Sequence, residues 1–101
     1  MVHVLASIHV KAGCRSRFLE IFKANMPAVK AEAGCVDYRP TVDVQSGLPP
    51  QQLDADTVVI IEKWDSLDAL RKHLAAPHMA SYREKVKDLV GDVSLKVLQD
   101  A

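Results

Sequence analysis

The eight residues 57 to 64, TVVIIEKW, constrain the fold of this chain more than any other stretch. Val58, Val59, Ile60 and Ile61 are consecutive β-branched residues, whose stiff side chains favour extended backbone over a helix. A run this apolar predicts a strand in a central position with both faces covered. The rest of the chain must then supply neighbouring strands and covering layers.

Those neighbours can be read from periodicity. In VHVLASIHV, residues 2, 4, 6, 8 and 10 are Val, Val, Ala, Ile and Val, a period of two that marks a strand with one fully apolar face. The opposite face carries His3, Leu5, Ser7 and His9. Residues 14 to 32 place Phe18, Ile21, Phe22, Met26 and Val29 at helical spacing, with Pro27 expected to kink or divide the helix. Gly34 is expected just past its C-terminus. CVDYRPTVDV reads as a second strand, with Pro40 pointing to an edge or a bulge, and QSGLPPQQLDAD as a loop.

After the TVVIIEKW strand, Asp65 or Ser66 can cap a helix whose apolar members are Leu67, Leu70 and Leu74. Pro77 suits the first turn of another helix, whose stripe would be Met79, Tyr82, Val86 and Val90. A last strand alternates Val93, Leu95 and Val97. The order is β-α-β-β-α-β with the second helix split, a ferredoxin-like α+β domain spanning residues 1 to 101. At 101 residues there is room for one core and no second domain.

Four strands and about three helices leave one sheet face bare. A bare apolar face of several hundred Å2 is rare on a soluble monomer, and two copies packed about a twofold axis would hide both faces at once. The expectation is a homodimer whose sheets enclose an internal space. Thirteen basic residues balance thirteen acidic ones, so there is no electrostatic footprint for nucleic acid or an anionic membrane. No segment approaches the ~20 apolar residues of a membrane span, and the N-terminus does not read as a signal peptide. Cys14 and Cys35, without CxxC spacing, fit two reduced thiols in the cytoplasm.

Functional groups crowd the junction from the third strand into the split helix. Glu62 and Trp64 share a strand face. Trp64 either closes the end of the core or walls a pocket, and its N–H needs a partner when buried. Glu62 is either paired at the strand end or, buried without a charge partner, shifted toward neutrality and usable as a base. His73 lies on or near the apolar stripe of its helix, as a rim histidine or as a general base poised at cytosolic pH. His78 and Tyr82 sit one turn apart, and Tyr38 could meet a substrate oxygen. A metal site from His73, His78 and Glu62 is disfavoured, because five-residue spacing across Pro77 breaks one-turn ligand geometry.

Three stretches, EAGCVDYRPTVD, IEKWDSLDALRKHLAAPHMASYREKV and the closing LKVLQ, resemble the antibiotic biosynthesis monooxygenase family over essentially the whole chain, and within it the bacterial quinol monooxygenase branch. The resemblance implies a dimeric α+β barrel. In each subunit a quinol or polyphenol would react with O2 without flavin, haem or metal, so no cofactor is expected. For that reaction the candidates read above are His73 and Glu62 as catalytic groups, and Trp64, Tyr38, His78, Tyr82 and Leu70 as substrate-binding ones. Antibiotic-tailoring members use side-chain amides beside a Trp, whereas the only Asn here is Asn25. Haem-degrading members carry a Trp and an iron-ligating His where His73 and Arg83 stand. Two other readings are a non-catalytic dimer that sequesters a small aromatic compound, and an isomerase of a small phosphorylated or hydroxylated ketone, for which Arg39 and Arg83 would supply positive charge.

Overall fold

Period-two patterning makes the first and third strands neighbours. In the computed structural model, which describes all residues from Met1 to Ala101, β1 (Val2–Val10) pairs antiparallel with β3 (Thr57–Trp64), so that Val4 faces Glu62, Ala6 faces Ile60 and Ile8 faces Val58. These six side chains lie on one face and all are buried. β2 (Cys35–Thr41) pairs with the outer side of β3 and β4 (Val90–Leu98) with the outer side of β1, giving one antiparallel sheet of order β2-β3-β1-β4.

The helices are α1 (Arg15–Lys30), α2 (Leu67–Leu74) and α3 (Pro77–Val86). All cover the same sheet face: α1 packs on β2 and α3, and α2 packs on β3. Phe18, Phe22 and Val29 of α1, Leu70 of α2, and Met79 and Val86 of α3 complete the core over Val4, Ile60 and Trp64. Each such side chain stabilises the fold by about 1.5–3 kcal/mol through removal from water. Ser66 caps α2, its hydroxyl accepting from the Ala69 amide at 3.1 Å. Pro77 occupies the first turn of α3, where its missing N–H costs nothing.

Several expectations are corrected. β3 is central but covered on one side only: its buried residues alternate with half-buried ones, because Val59 and Ile61 point to the face without helices. Pro27 does not divide α1; it sits in the last turn, and its carbonyl still accepts from Ala31 at 3.1 Å. Gly34 is not the residue after the helix cap, since α1 ends at Ala31 in right-handed geometry, and Gly34 instead takes φ +86° in the turn into β2. β2 stops at Thr41, and an irregularity between Cys35 and Asp37 shifts its parity, leaving Tyr38 buried while Val36, Val42 and Val44 are exposed. On α2 the buried residues are Leu70 and His73, and Leu67 and Leu74 are exposed. Val90 belongs to β4, because α3 ends at Val86.

β4 departs furthest from an ordinary strand. Val93, Leu95 and Val97 face the helix side, opposite Ile8, Ala6 and Val4, yet they are 47–52% exposed. The helix-side residues of β1 are buried in the core, so on that face only β4 has no helical lid. The space left there is the cavity described next.

Candidate active site

A chamber of about 460 Å3 lies between the sheet and the helices, within the usual range for small-molecule sites. Ala6, Ile8 and Ile60 form its floor, Phe22, Met79 and Val86 its helical wall, and Val93 and Leu95 of β4 its half-exposed outer rim. The aromatic surfaces are ordered. Tyr38 stacks on Phe22 with ring centroids 5.3 Å apart and planes at 15°, and Tyr82 meets Phe22 edge-on at 5.9 Å. Apart from Glu62, His73, Arg83 and Lys87, the lining is apolar or aromatic.

The register of β3 delivers Glu62 to the chamber and places Trp64 two residues on, on the same face. The Trp64 indole Nε1 donates to Glu62 Oε1 at 3.0 Å, which satisfies a fully buried N–H. Burial pushes the Glu62 carboxyl up to about 7, with the Glu32 charge adding to the rise and the Trp64 hydrogen bond opposing it. Glu62 can therefore hold or release a proton near neutral pH.

His73 comes from the last turn of α2 and is 2% exposed. Its ring lies 4.6 Å from the Trp64 indole and 5.4 Å from Tyr38. Its Nδ1 is 2.7 Å from Glu32 Oε2. With Glu32 ionised, Nδ1 is the protonated nitrogen, and Nε2, which has no partner in the protein, carries the lone pair. Burial lowers the His73 pKa, the hydrogen bond and charge of Glu32 oppose that, and the neighbouring His78 and Arg83 reinforce it. The ring is thus neutral at physiological pH, the state a general base requires.

Glu32 reaches His73 because of the turn that holds it. Residues 31 to 34 reverse the chain between α1 and β2, and the Gly34 carbonyl accepts from the Asp65 amide at 2.8 Å. A Cβ at position 34 would come within 2.6 Å of Ala69 Cβ. Only glycine lets this turn press against α2 in the left-handed conformation it adopts.

Tyr38 and Tyr82 line the chamber, and neither hydroxyl has a hydrogen-bond partner in the protein. Burial raises both phenol pKa values; Glu62 raises that of Tyr38 further, while Arg83 offsets part of the rise at Tyr82. At neutral pH both are hydrogen-bond donors available to a ligand oxygen.

The structure thus brings Glu62, His73, Tyr38 and Tyr82 together around one space. Trp64 stands behind them, packed on His73 and bonded to Glu62, and does not line the chamber. Leu70 is buried in the core beneath α2 and also does not reach it. His78 lies on the far side of Glu32, in a cleft between α1 and α3. Arg83 lines the chamber and donates from Nη2 to the Leu74 carbonyl, whereas Arg39 pairs with Asp37 on β2 at 3.5 Å, away from it. No three His, Cys, Asp or Glu side chains are arranged to hold a metal ion. Glu32 is the functional residue that sequence reasoning missed; the one signal for it was that a buried His73 requires a polar partner.

The family model for antibiotic biosynthesis monooxygenase matches residues 1–85. In sequence, the chain is 38% identical to the "Probable quinol monooxygenase YgiN" of Escherichia coli (strain K12), over 98% of this chain and 97% of that protein. Among solved structures it is similar to Rv0793 from Mycobacterium tuberculosis, with a TM-score of 0.81 and 27% identity over 99% of this chain and 94% of that one. It is also similar to PA3566 from Pseudomonas aeruginosa, with a TM-score of 0.82 and 22% identity over 99% and 93%.

Proposed function

The chain belongs to the antibiotic biosynthesis monooxygenase family, and from that premise we propose that it oxidises a quinol or related small polyphenol with O2 inside the chamber. The observation that carries this reading is a neutral histidine, oriented by a carboxylate at 2.7 Å, facing a largely apolar slot walled by flat aromatic rings.

The substrate ring lies against Phe22 and Tyr38, with one hydroxyl at His73 Nε2. That O–H breaks, its proton passes to Nε2, and the resulting phenolate is electron-rich enough to reduce O2. The substrate supplies all four electrons: two as quinol becomes quinone, and two as a ring C–H becomes C–OH. One oxygen atom enters the ring and the other leaves as water, so a quinol plus O2 gives a hydroxyquinone plus water with nothing left over. Glu62, poised at about 7, holds a proton that can be given to the departing oxygen. The apolar walls exclude water, which would quench the carbanion character of the phenolate and compete for Nε2.

The proposal includes a second copy of the chain. The surface of 6473 Å2 exceeds the roughly 5,700 Å2 expected of a folded monomer of 11.1 kDa. The excess of about 800 Å2 is what one partner contributes to a standard interface. The exposed apolar residues of β4 and the loop after β2, among them Val44, Leu48, Leu53, Val93, Leu95 and Val97, supply it. A twofold-related copy would bury them and close the chamber's outer rim.

The test is oxygen uptake by metal-stripped protein given 2-methylnaphthalene-1,4-diol, with product mass read by mass spectrometry. The expected result is consumption well above the uncatalysed rate and a quinone heavier by one oxygen atom, labelled when 18O2 is supplied. Binding of the corresponding quinone without any acceleration would favour the sequestering dimer instead. An isomerase of a phosphorylated ketone fits less well, because Arg39 is turned away and the chamber has few polar groups.

A further inference from the structure

Glu32 has an imidazole on each side. Its Oε2 is 2.7 Å from His73 Nδ1 and 3.4 Å from His78 Nε2. The two rings open onto different spaces: His73 lines the chamber, whereas His78 lines a cleft of about 540 Å3 between α1 and α3, with Arg17, Asn25, Ser81 and Lys85 among its other walls. Tyr82 lines both, so a single layer of side chains separates them. His78 is close enough to Glu32 for ionic contact, but the angle makes no hydrogen bond, and both of its buried ring nitrogens are without a partner. A small tilt of the ring would join it to the carboxylate.

We propose that His73, Glu32 and His78 form a proton relay between the chamber and the outer cleft, in which a turn of the His78 ring, whose side chain is 27% exposed but whose two nitrogens are covered, carries the proton out. The inference rests on His73 acting as the base. A bound aromatic ring fills the chamber and shuts out water, so a proton taken up by His73 has no exit on that side. The buried ring also cannot keep it cheaply. The relay resolves this. The substrate O–H breaks and Nε2 gains the proton; Nδ1 passes its own to Glu32 Oε2; Glu32 passes a proton to His78 Nε2; and His78, once its ring has turned toward the cleft, releases one from Nδ1 to a water molecule there. Each group loses one proton and gains one, and no electron moves along the path. When the second oxygen atom leaves as water the path runs in reverse, which restores the starting tautomer of His73.

The test compares the wild type with His78→Phe, which keeps the bulk and loses both nitrogens, and with His78→Ala, which opens the cleft. Turnover of 2-methylnaphthalene-1,4-diol should fall by about 10-fold or more in both, less than the roughly 10^2- to 10^4-fold that the base itself contributes, with KM and thermal stability little changed. Added imidazole should restore turnover in His78→Ala by binding in the vacated cleft and taking over the exchange. The pH profile of turnover should change shape in both variants, since the charged and titratable groups facing position 78 are Glu32 and His73 on one side and Arg17, Glu20, Tyr82 and Lys85 around the cleft. Full turnover in both variants would overturn the relay while leaving His73 as the base. A loss that imidazole does not rescue would also overturn it, assigning His78 to packing alone. An inactive wild type would overturn both the relay and the reading beneath it.

Discussion

Glu62 is held by a single hydrogen bond from a buried indole, and that environment makes it a liability at high pH. The unfolded carboxyl titrates near 4.5 and the folded one at about 7. Between these values the folded chain keeps a proton that the unfolded chain has lost, so stability falls as pH rises through that window and levels off above it. The difference amounts to about 3 kcal/mol. Glu62→Gln retains an acceptor for Trp64 without the charge. By urea denaturation its advantage over the wild type should grow from near zero at pH 4.5 to about 3 kcal/mol at pH 8, and a constant difference would contradict the burial of an ionisable Glu62. His73 has the opposite sign: its pKa is lowered, so its contribution is lost as pH falls below the ordinary histidine range. The pairing of Glu62 with Trp64 was legible from strand parity, because residues two apart share a face and a buried indole seeks an acceptor. Glu32 was not, because it lies in a turn, where no periodicity says which way a side chain points.

At the scale of elements, the turn 31–34 decides whether the His73–Glu32 pair forms. Gly34→Ala would force a left-handed residue to carry a Cβ and drive it against Ala69. A loss of about 2–4 kcal/mol in unfolding free energy is expected from backbone strain plus overpacking. Activity should fall with it, since α2 must move away from the turn; an unchanged urea midpoint would show that the contact is not needed. The element order, the cap at Ser66 and the start of α3 at Pro77 could be read from sequence, because each depends on local chemistry. The errors arose where tertiary context intervened. Leu67 and Leu74 share a stripe with Leu70, but α2 is only eight residues long, and the two leucines at its ends stay exposed, Leu74 at the chamber lining. The expected strand from Cys35 to Val44 also stops at Thr41 and carries an irregularity between Cys35 and Asp37 that no residue type announces.

At the scale of the whole molecule, the chamber exists because three helices leave the β4 edge of a four-stranded sheet uncovered. Counting elements predicts a bare face, but not that one edge of the other face stays open; that depends on where the helices settle. A second copy covering β4 should give a two-chain mass by light scattering. Leu95→Lys combined with Val97→Lys, placing charge on that strand, should yield single chains, and a wild type that runs as one chain at all concentrations would refute the closed chamber. Deeper in the same chamber, the account turns on His73 acting as a base. The most direct test is His73→Ala, following turnover of 2-methylnaphthalene-1,4-diol together with quinone binding, read from Trp64 fluorescence. The account predicts that turnover drops by about 10^2- to 10^4-fold while the quinone dissociation constant stays within a factor of about three, less than 1 kcal/mol. Undiminished turnover in His73→Ala would contradict it.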